Sequence, residues 1–164
     1  MTVSEITAKM IQYPGQTLHD INHLMKVYAY AKTIGECEGL DGQTQTILEI
    51  AAIVHDIACP LCRQKYGNTN GKYQEAEGPL LAEAFLNDTG LSQAQIARIA
   101  YLVGHHHTPE AADGPDYQIL IEADYLVNAD ESSYSVKNIE NTLETIFKTQ
   151  TGKTLLTSMY LARQ

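Results

Sequence analysis

Apolar residues along this chain recur mostly at three- and four-residue spacing and hardly anywhere in the strict alternation of a half-buried strand, so the pattern predicts an all-α protein. A first helix is expected over about Val3 to Gln12, stopped by Pro14 and Gly15. Asp20 reads as the N-cap of a helix over about Ile21 to Cys37, with His23, Val27, Tyr30, Ala31 and Ile34 on its inner stripe. The next begins near Gly42 and runs through Ile47, Ile50, Ala51 and Val54 to His55, Asp56 and Ile57, stopping before Pro60. Periodicity then fails from Pro60 to Glu77, and Gly67, Asn68, Thr69, Asn70 and Gly71 read as part of a long exposed loop.

Pro79 suits the first turn of a helix reaching about Gly90, and Ser92 caps one that carries Ile96, Ile99, Ala100 and Val103 and ends in His105, His106 and His107. Asp116 reads as the cap of a helix containing Ile119, Leu120, Ile121, Asp124, Leu126 and Val127. Two more, about Val136 to Phe147 and Lys153 to Ala162, are split at Gly152. The expectation is a compact bundle of about seven or eight helices in one domain spanning 1–164, with 130–164 packed on the same core.

Four polar residues interrupt these apolar faces in order: His23, the adjacent His55 and Asp56, and Asp124. Burying an imidazole or carboxylate without a partner costs roughly a few kcal/mol or more, so something should compensate them. A shared divalent cation would do so for all four. The competing reading makes His23 and Asp124 hydrogen-bonded core residues and the His55–Asp56 pair an accident of sequence.

Composition narrows the function classes. Twenty acidic against 11 basic residues, a formal charge of −9, argue against a nucleic-acid platform. No apolar run approaches the roughly 20 residues of a membrane span. Three cysteines, Cys37, Cys59 and Cys62, with no signal peptide point to a reducing cytoplasm rather than a disulfide framework. Oligomeric state is left open by residue types, a homodimer included.

The order His, His-Asp, Asp, with the pair ending the apolar helix "AAIVHDIA" and the last aspartate in "ILIEADYLVNAD", resembles the HD superfamily of metal-dependent phosphohydrolases. "DINHLMKVYAYA" is similar to that family's first-histidine helix and "EGPLLAEAFL" to the helix after its variable loop. The resemblance runs from about Leu18 to Ala129 and suggests a small stand-alone bacterial-type subgroup. It implies that His23, His55, Asp56 and Asp124 hold one divalent metal. Two imidazoles and two carboxylates suit manganese, iron, cobalt, nickel or zinc. The implied reaction is hydrolysis of a phosphomonoester or anhydride of a small phosphorylated metabolite, with a nucleotide the leading candidate and metal-activated water, oriented by Asp56, as nucleophile. Two alternatives are a phosphodiesterase for a cyclic or linear dinucleotide and a non-catalytic sensor binding metal and nucleotide.

The chain departs from the family pattern in two places. Some members complete a binuclear centre with histidines near the end of the "YLVGHHH" helix and another four residues before "GP"; here His105 and His106 are the candidates for a second ion, while Gln74 occupies the other position. Otherwise one of the two serves as a phosphate contact or proton donor, His106 being the catalytic candidate and His105 the substrate contact. Other members carry acidic residues soon after the His-Asp pair, where this chain has Cys59, Pro60, Leu61 and Cys62. The acid–base and substrate candidates are therefore Glu75 as base, Lys72 as a catalytic phosphate clamp, Gln74 as a hydrogen-bonding partner and Lys26 at the mouth. His107 reads as exposed at a helix end whose dipole favours imidazoles. His19 and Asp20 repeat the His-Asp dipeptide ahead of the first apolar face and are expected only as supporting residues. Cys59 and Cys62 have redox spacing without the βαβ context, and "GNTNGKY" and "TGKT" lack the full pattern of a phosphate-binding loop.

Overall fold

The computed structural model describes residues 1–162, which are all-α. Among the described residues there are nine α-helices: α1 (Val3–Ile11), α2 (Leu18–Cys37), α3 (Gly42–Val54), α4 (Cys59–Tyr66), α5 (Gly71–Leu86), α6 (Gln93–Val103), α7 (Pro115–Glu131), α8 (Val136–Thr145) and α9 (Gln150–Leu156). A short 3-10 turn at Pro109–Ala111 precedes α7, and a π turn at Thr157–Leu161 follows α9.

The bundle is organised around α3 and α7. From Ile47 to Val54 every α3 residue is buried, and so is every α7 residue from Asp116 to Asp124. A helix apolar on nearly all sides must be covered on all sides. The others do this: α2 packs on both α3 and α7, α6 and α1 lie on α3, and α5 lies on α6. One apolar core results, drawing on Ile6 of α1, Val27, Ala31 and Ile34 of α2, Ile99 and Leu102 of α6, and Leu156 of α9. Helices α3 and α4 together, Gly42–Tyr66, form a segment apolar and long enough on composition alone to cross a membrane, which corrects the reading that none exists; most of it is buried in this core.

Several expected boundaries move. The long loop from Pro60 to Glu77 is replaced by α4 and the first two turns of α5, joined by only four residues. Pro60 lies in the first turn of α4, where a missing N–H costs nothing, and Gly67 ends that helix in the left-handed region at φ 70°. Both residues look like loop punctuation in a linear reading, yet here they start and stop a helix. Pro79 likewise lies inside α5 instead of opening it. Thr17, not Asp20, caps α2; Asp20 is the reciprocal third-position partner, accepting from the Thr17 N–H at 2.8 Å. Gly114, not Asp116, precedes α7, and Asp116 instead binds Arg98. Gly152 lies within α9 rather than between helices.

Candidate metal centre

The ends of α3 and α6 are built in the same way. The last four carbonyls of a helix have no partner within it, and each of these ends uses one to orient an imidazole. His55, at the C-cap of α3, sets its Nδ1 2.8 Å from the Ala52 carbonyl, and His106, just past α6, sets its Nδ1 2.8 Å from the Val103 carbonyl. A carbonyl only accepts, so both rings carry their proton on Nδ1 and turn a bare Nε2 lone pair inward. His23, in the second turn of α2, is oriented by a carboxylate instead: its Nδ1 donates to Glu131 Oε2 at 2.8 Å.

These lone pairs converge with two carboxylates. His23 Nε2 lies 3.2 Å from His55 Nε2, 3.1 Å from Asp124 Oδ1 and 3.7 Å from Asp56 Oδ2. His55 Nε2 is 3.6 Å from Asp56 Oδ1 and from Asp124 Oδ1. His106 Nε2 stands 3.5 Å from Asp56 Oδ1, buried and with no hydrogen-bond partner. Facing acceptors need a shared positive charge. Without a cation a proton plays that part: burial pulls the His23 imidazolium down, but the hydrogen bond to Asp124 and the charge of Asp56 outweigh it and lift the ring to about 9. Burial would raise Asp56 and Asp124, yet the surrounding imidazoles hold both well below the ordinary carboxylate range.

Two groups have the reach of a metal site, with ligand atoms all within 4.8 Å of one another: His23, His55 and Asp56, and then Asp56, His106 and His107. Asp124 stands against the first group through His23 and is steadied by Asn128 Nδ2 at 2.9 Å. The mixed nitrogen and carboxylate set fits a first-row divalent ion, and the orphaned His106 Nε2 is the kind of atom such an ion satisfies.

The cluster opens into a cleft of about 370 Å³. His19, Asp20, Cys59, Arg63, Thr69, Gln74 and Ser132 line it beside the cluster residues. Arg63 reaches Asp20 through Nη1 to Oδ1 at 3.1 Å and Nη2 to Oδ2 at 2.5 Å. Gln74 is buried in the wall, donating through Nε2 to the Thr69 carbonyl at 2.8 Å and leaving Oε1 without a partner. Burial and the nearby Asp56 push the Cys59 thiol far up, which keeps it protonated. Cys59 and Cys62 are both free.

The remaining sequence candidates lie elsewhere. His105 turns away, its Nδ1 2.8 Å from the Tyr101 carbonyl and its ring stacked on Tyr101; His107 takes the place expected for it at the cluster. The reason is local: past Gly104 the chain leaves α6 in a tight turn, so successive histidines point in different directions. Gly71 lets His107 fit, since a Cβ there would lie 2.7 Å from its ring. Glu75 is no free base, because its Oε1 accepts from the His107 N–H at 3.0 Å and the Thr108 hydroxyl at 2.9 Å. Lys72 is exposed and folds over the Tyr73 ring, away from the cleft. Lys26 is 3.1 Å from Glu131 and supports the centre only through that carboxylate. His19, 3.6 Å from Glu131, supports it from the other side.

Sequence reasoning missed Glu131, Asn128, Arg63 and His107. Glu131 and Asn128 had a usable signal: with Asp124 they recur at four and three residues along α7, the spacing of one helix face. Arg63 has none, because Pro60 and Gly67, which bound its short helix, carry the same residue types as loop punctuation.

Comparison with known proteins supports the same frame. The HD domain family model matches residues 20–131. The chain is similar in fold to the crystal structure of a predicted HD superfamily hydrolase from an uncultured Thermotogales bacterium, with a TM-score of 0.67 and 22% identity over 96% of this chain and 83% of that one. None of the curated proteins matches the chain. With more than half its length under the family model, and His23, His55, Asp56 and Asp124 gathered at one point of an all-α bundle, the chain belongs to the HD domain family.

Proposed function

We propose that this protein is a divalent-metal-dependent phosphohydrolase acting on a small phosphorylated metabolite, with a nucleotide as the leading candidate. The observation that carries this is the convergence of the His23, His55 and His106 Nε2 lone pairs on the Asp56 and Asp124 carboxylates, beside an open cleft that His23, Asp56 and Asp124 line. His23, His55, Asp56 and Asp124 would hold the ion. When bound, such an ion polarises a phosphoryl oxygen and acidifies water.

The protein's own groups then have distinct tasks. Glu131 and the Ala52 carbonyl keep His23 and His55 in the ligating tautomer. Asn128 fixes the Asp124 carboxylate. Arg63 and His19 supply hydrogen-bond donors on the cleft wall for phosphate oxygens. Charge balance also bears on metal number. One divalent ion only cancels Asp56 and Asp124, while Asp20 is paired with Arg63 and Glu131 with Lys26. A phosphate dianion therefore favours added positive charge at Asp56, His106 and His107, which supports a second ion there in place of the expected His105 and His106 pair.

A second reading, a sensor that binds without turnover, is favoured by one observation. Each cleft carboxylate beyond the ligands already has a cation partner, and Glu75 is engaged with the backbone. The deciding experiment measures metal content by elemental analysis for the wild type and Asp56→Ala. It then screens phosphomonoesters, anhydrides and linear and cyclic dinucleotides with manganese, iron, cobalt, nickel and zinc. Metal lost in the variant together with monoester or anhydride turnover supports the proposal. Diester turnover alone redirects it to a phosphodiesterase, and retention of metal and nucleotide with no turnover favours the sensor.

A further inference from the structure

The cluster is flanked by two cavities. Beside the main cleft lies a second hollow of about 240 Å³, and His107, Asp124, Asn128 and Tyr134 line both. The rest of its wall comes from Pro109, Ile121, Tyr125, Thr142 and Ile146, beside His106. No lysine, arginine or glutamate is among the described residues lining it. Away from Asp124 and the two cluster histidines, its wall of Pro109, Ile121, Tyr125, Thr142 and Ile146 carries no charged side chain.

Its mouth is formed by a specific backbone device. At the end of α7, the Tyr134 N–H donates to the Ala129 carbonyl at 2.9 Å and the Ser133 N–H to the Asp130 carbonyl at 3.1 Å, with Ser133 left-handed at φ 50°. This is a Schellman termination with serine where glycine is usual. It folds Tyr134 back over its own helix, to 5.4 Å between ring centroids from Tyr125 at a 43° tilt. Tyr125 is itself immobilised, edge-on to Phe147 and with its hydroxyl 2.6 Å from Asn138 Oδ1. One fixed and one part-exposed aromatic ring thus flank a hollow whose floor is the candidate metal cluster. Asn128 commits its Nδ2 to Asp124, so beyond the cluster residues His106, His107 and Asp124 its Oδ1 and the Thr142 hydroxyl are polar features of the wall.

We propose that this hollow receives a planar, uncharged ring with a hydrogen-bonding edge, attached to the phosphate that lies in the main cleft, and that Tyr134 is the specificity-determining residue that stacks on it. The proposal rests on the phosphohydrolase reading for the phosphate end of the molecule. The ring end stands on the second cavity alone. An aliphatic tail would waste both tyrosine faces and the Asn128 and Thr142 polar groups. A planar ring uses all of them.

The test uses the metal-loaded full chain as wild type, Tyr134→Ala and Tyr134→Phe, with two readouts. In the first, adenosine and ribose are titrated as ring-bearing and ringless probes without phosphate. Adenosine should bind the wild type and Tyr134→Phe within about twofold of each other and Tyr134→Ala about tenfold more weakly. Ribose should not saturate any of the three. In the second, kcat/KM for phenyl phosphate is divided by that for glycerol 2-phosphate, and this ratio should fall about tenfold in Tyr134→Ala and be restored in Tyr134→Phe. Absence of adenosine binding, or equal binding by Tyr134→Ala, overturns the proposal whatever the turnover. Failure to hydrolyse any phosphoester while Tyr134-dependent adenosine binding persists overturns the phosphohydrolase reading and leaves the ring site standing.

Discussion

His23 Nδ1 donates to Glu131 Oε2 at 2.8 Å, a bond that joins the second turn of α2 to the last residue of α7. It decides which nitrogen of His23 is protonated, and so which one faces His55. Lys26 and His19 hold the other side of that carboxylate, at 3.1 Å and 3.6 Å. Glu131→Ala should therefore lower metal affinity by about 10- to 100-fold while the helical content is retained. Metal titration followed by equilibrium dialysis checks this, and unchanged affinity would remove Glu131 from the centre.

Metal should also act on stability. Five polar side chains crowded without a cation make the folded chain bind an ion far better than the unfolded chain does, so a hundredfold excess over Kd should add about 2.7 kcal/mol. For a chain of this size that corresponds to a rise in Tm of roughly 5–10 °C. Asp56→Ala and His55→Ala should show no such rise. A chelator should return the wild type to its metal-free Tm.

The Asp20–Arg63 pair predicts a pH dependence. Burial would raise the Asp20 carboxyl, but Arg63 and the Thr17 N–H and hydroxyl hold it below its ordinary 3.8. A depressed folded-state value means that the unfolded chain binds more protons, so the pair's contribution is complete above pH 3.8 and is lost as pH falls through the lower folded value. With Arg63 about a third exposed, its loss should cost about 1 kcal/mol at pH 7. Arg63→Leu should unfold earlier than wild type in urea at pH 7, and the gap should narrow towards pH 3.

Gly152 marks another buried carboxylate, outside the metal cluster. Glu122 Oε1 accepts from the Gln118 Nε2 at 2.7 Å and from the N–H groups of Lys148 and Thr149 at 2.7 Å and 3.0 Å, and Oε2 takes the Thr149 hydroxyl. It thereby ties the α8–α9 connection to the middle of α7. A Cβ on Gly152 would press into Glu122 Oε2, so Gly152→Ala should destabilise by about 2–3 kcal/mol. Chemical denaturation checks this, and a change below about 0.5 kcal/mol would show that α9 can shift to make room.

Ser133 offers the opposite sign. Its left-handed φ of 50° suits glycine, and Ser133→Gly should relieve strain and stabilise the chain by up to about 1 kcal/mol. The same denaturation measurement reads it.

Much of this protein was legible in the sequence where the signal is local. The helix class, the Ser92 cap of α6 and the apolar stripes of α2, α3 and α7 follow from spacing, since a residue's neighbours at three and four positions share its face. His23, His55, Asp56 and Asp124 stood out for the same reason, as polar residues on faces that exclude them. Pro60, Gly67 and Gly71 misled the reading because the signals that end one helix also begin and end others, and only packing against neighbours tells the two uses apart.

The sequence by itself determined that the chain is helical and which four polar residues interrupt its apolar faces, because both depend on residue type and on distance along the chain. Tertiary structure alone decided the rest of the centre. Whether His106 or His105 faces Asp56 depends on the direction of one turn after Gly104. Whether Glu75 is a base or a backbone clamp depends on the placement of His107 and Thr108, more than thirty residues away. Glu131 supports His23 across 108 positions of sequence, a separation at which spacing carries no information about orientation. Hydrogen bonds are directional and short, so the assignment of roles within a site awaits the packing that brings distant helices within about 3 Å of one another.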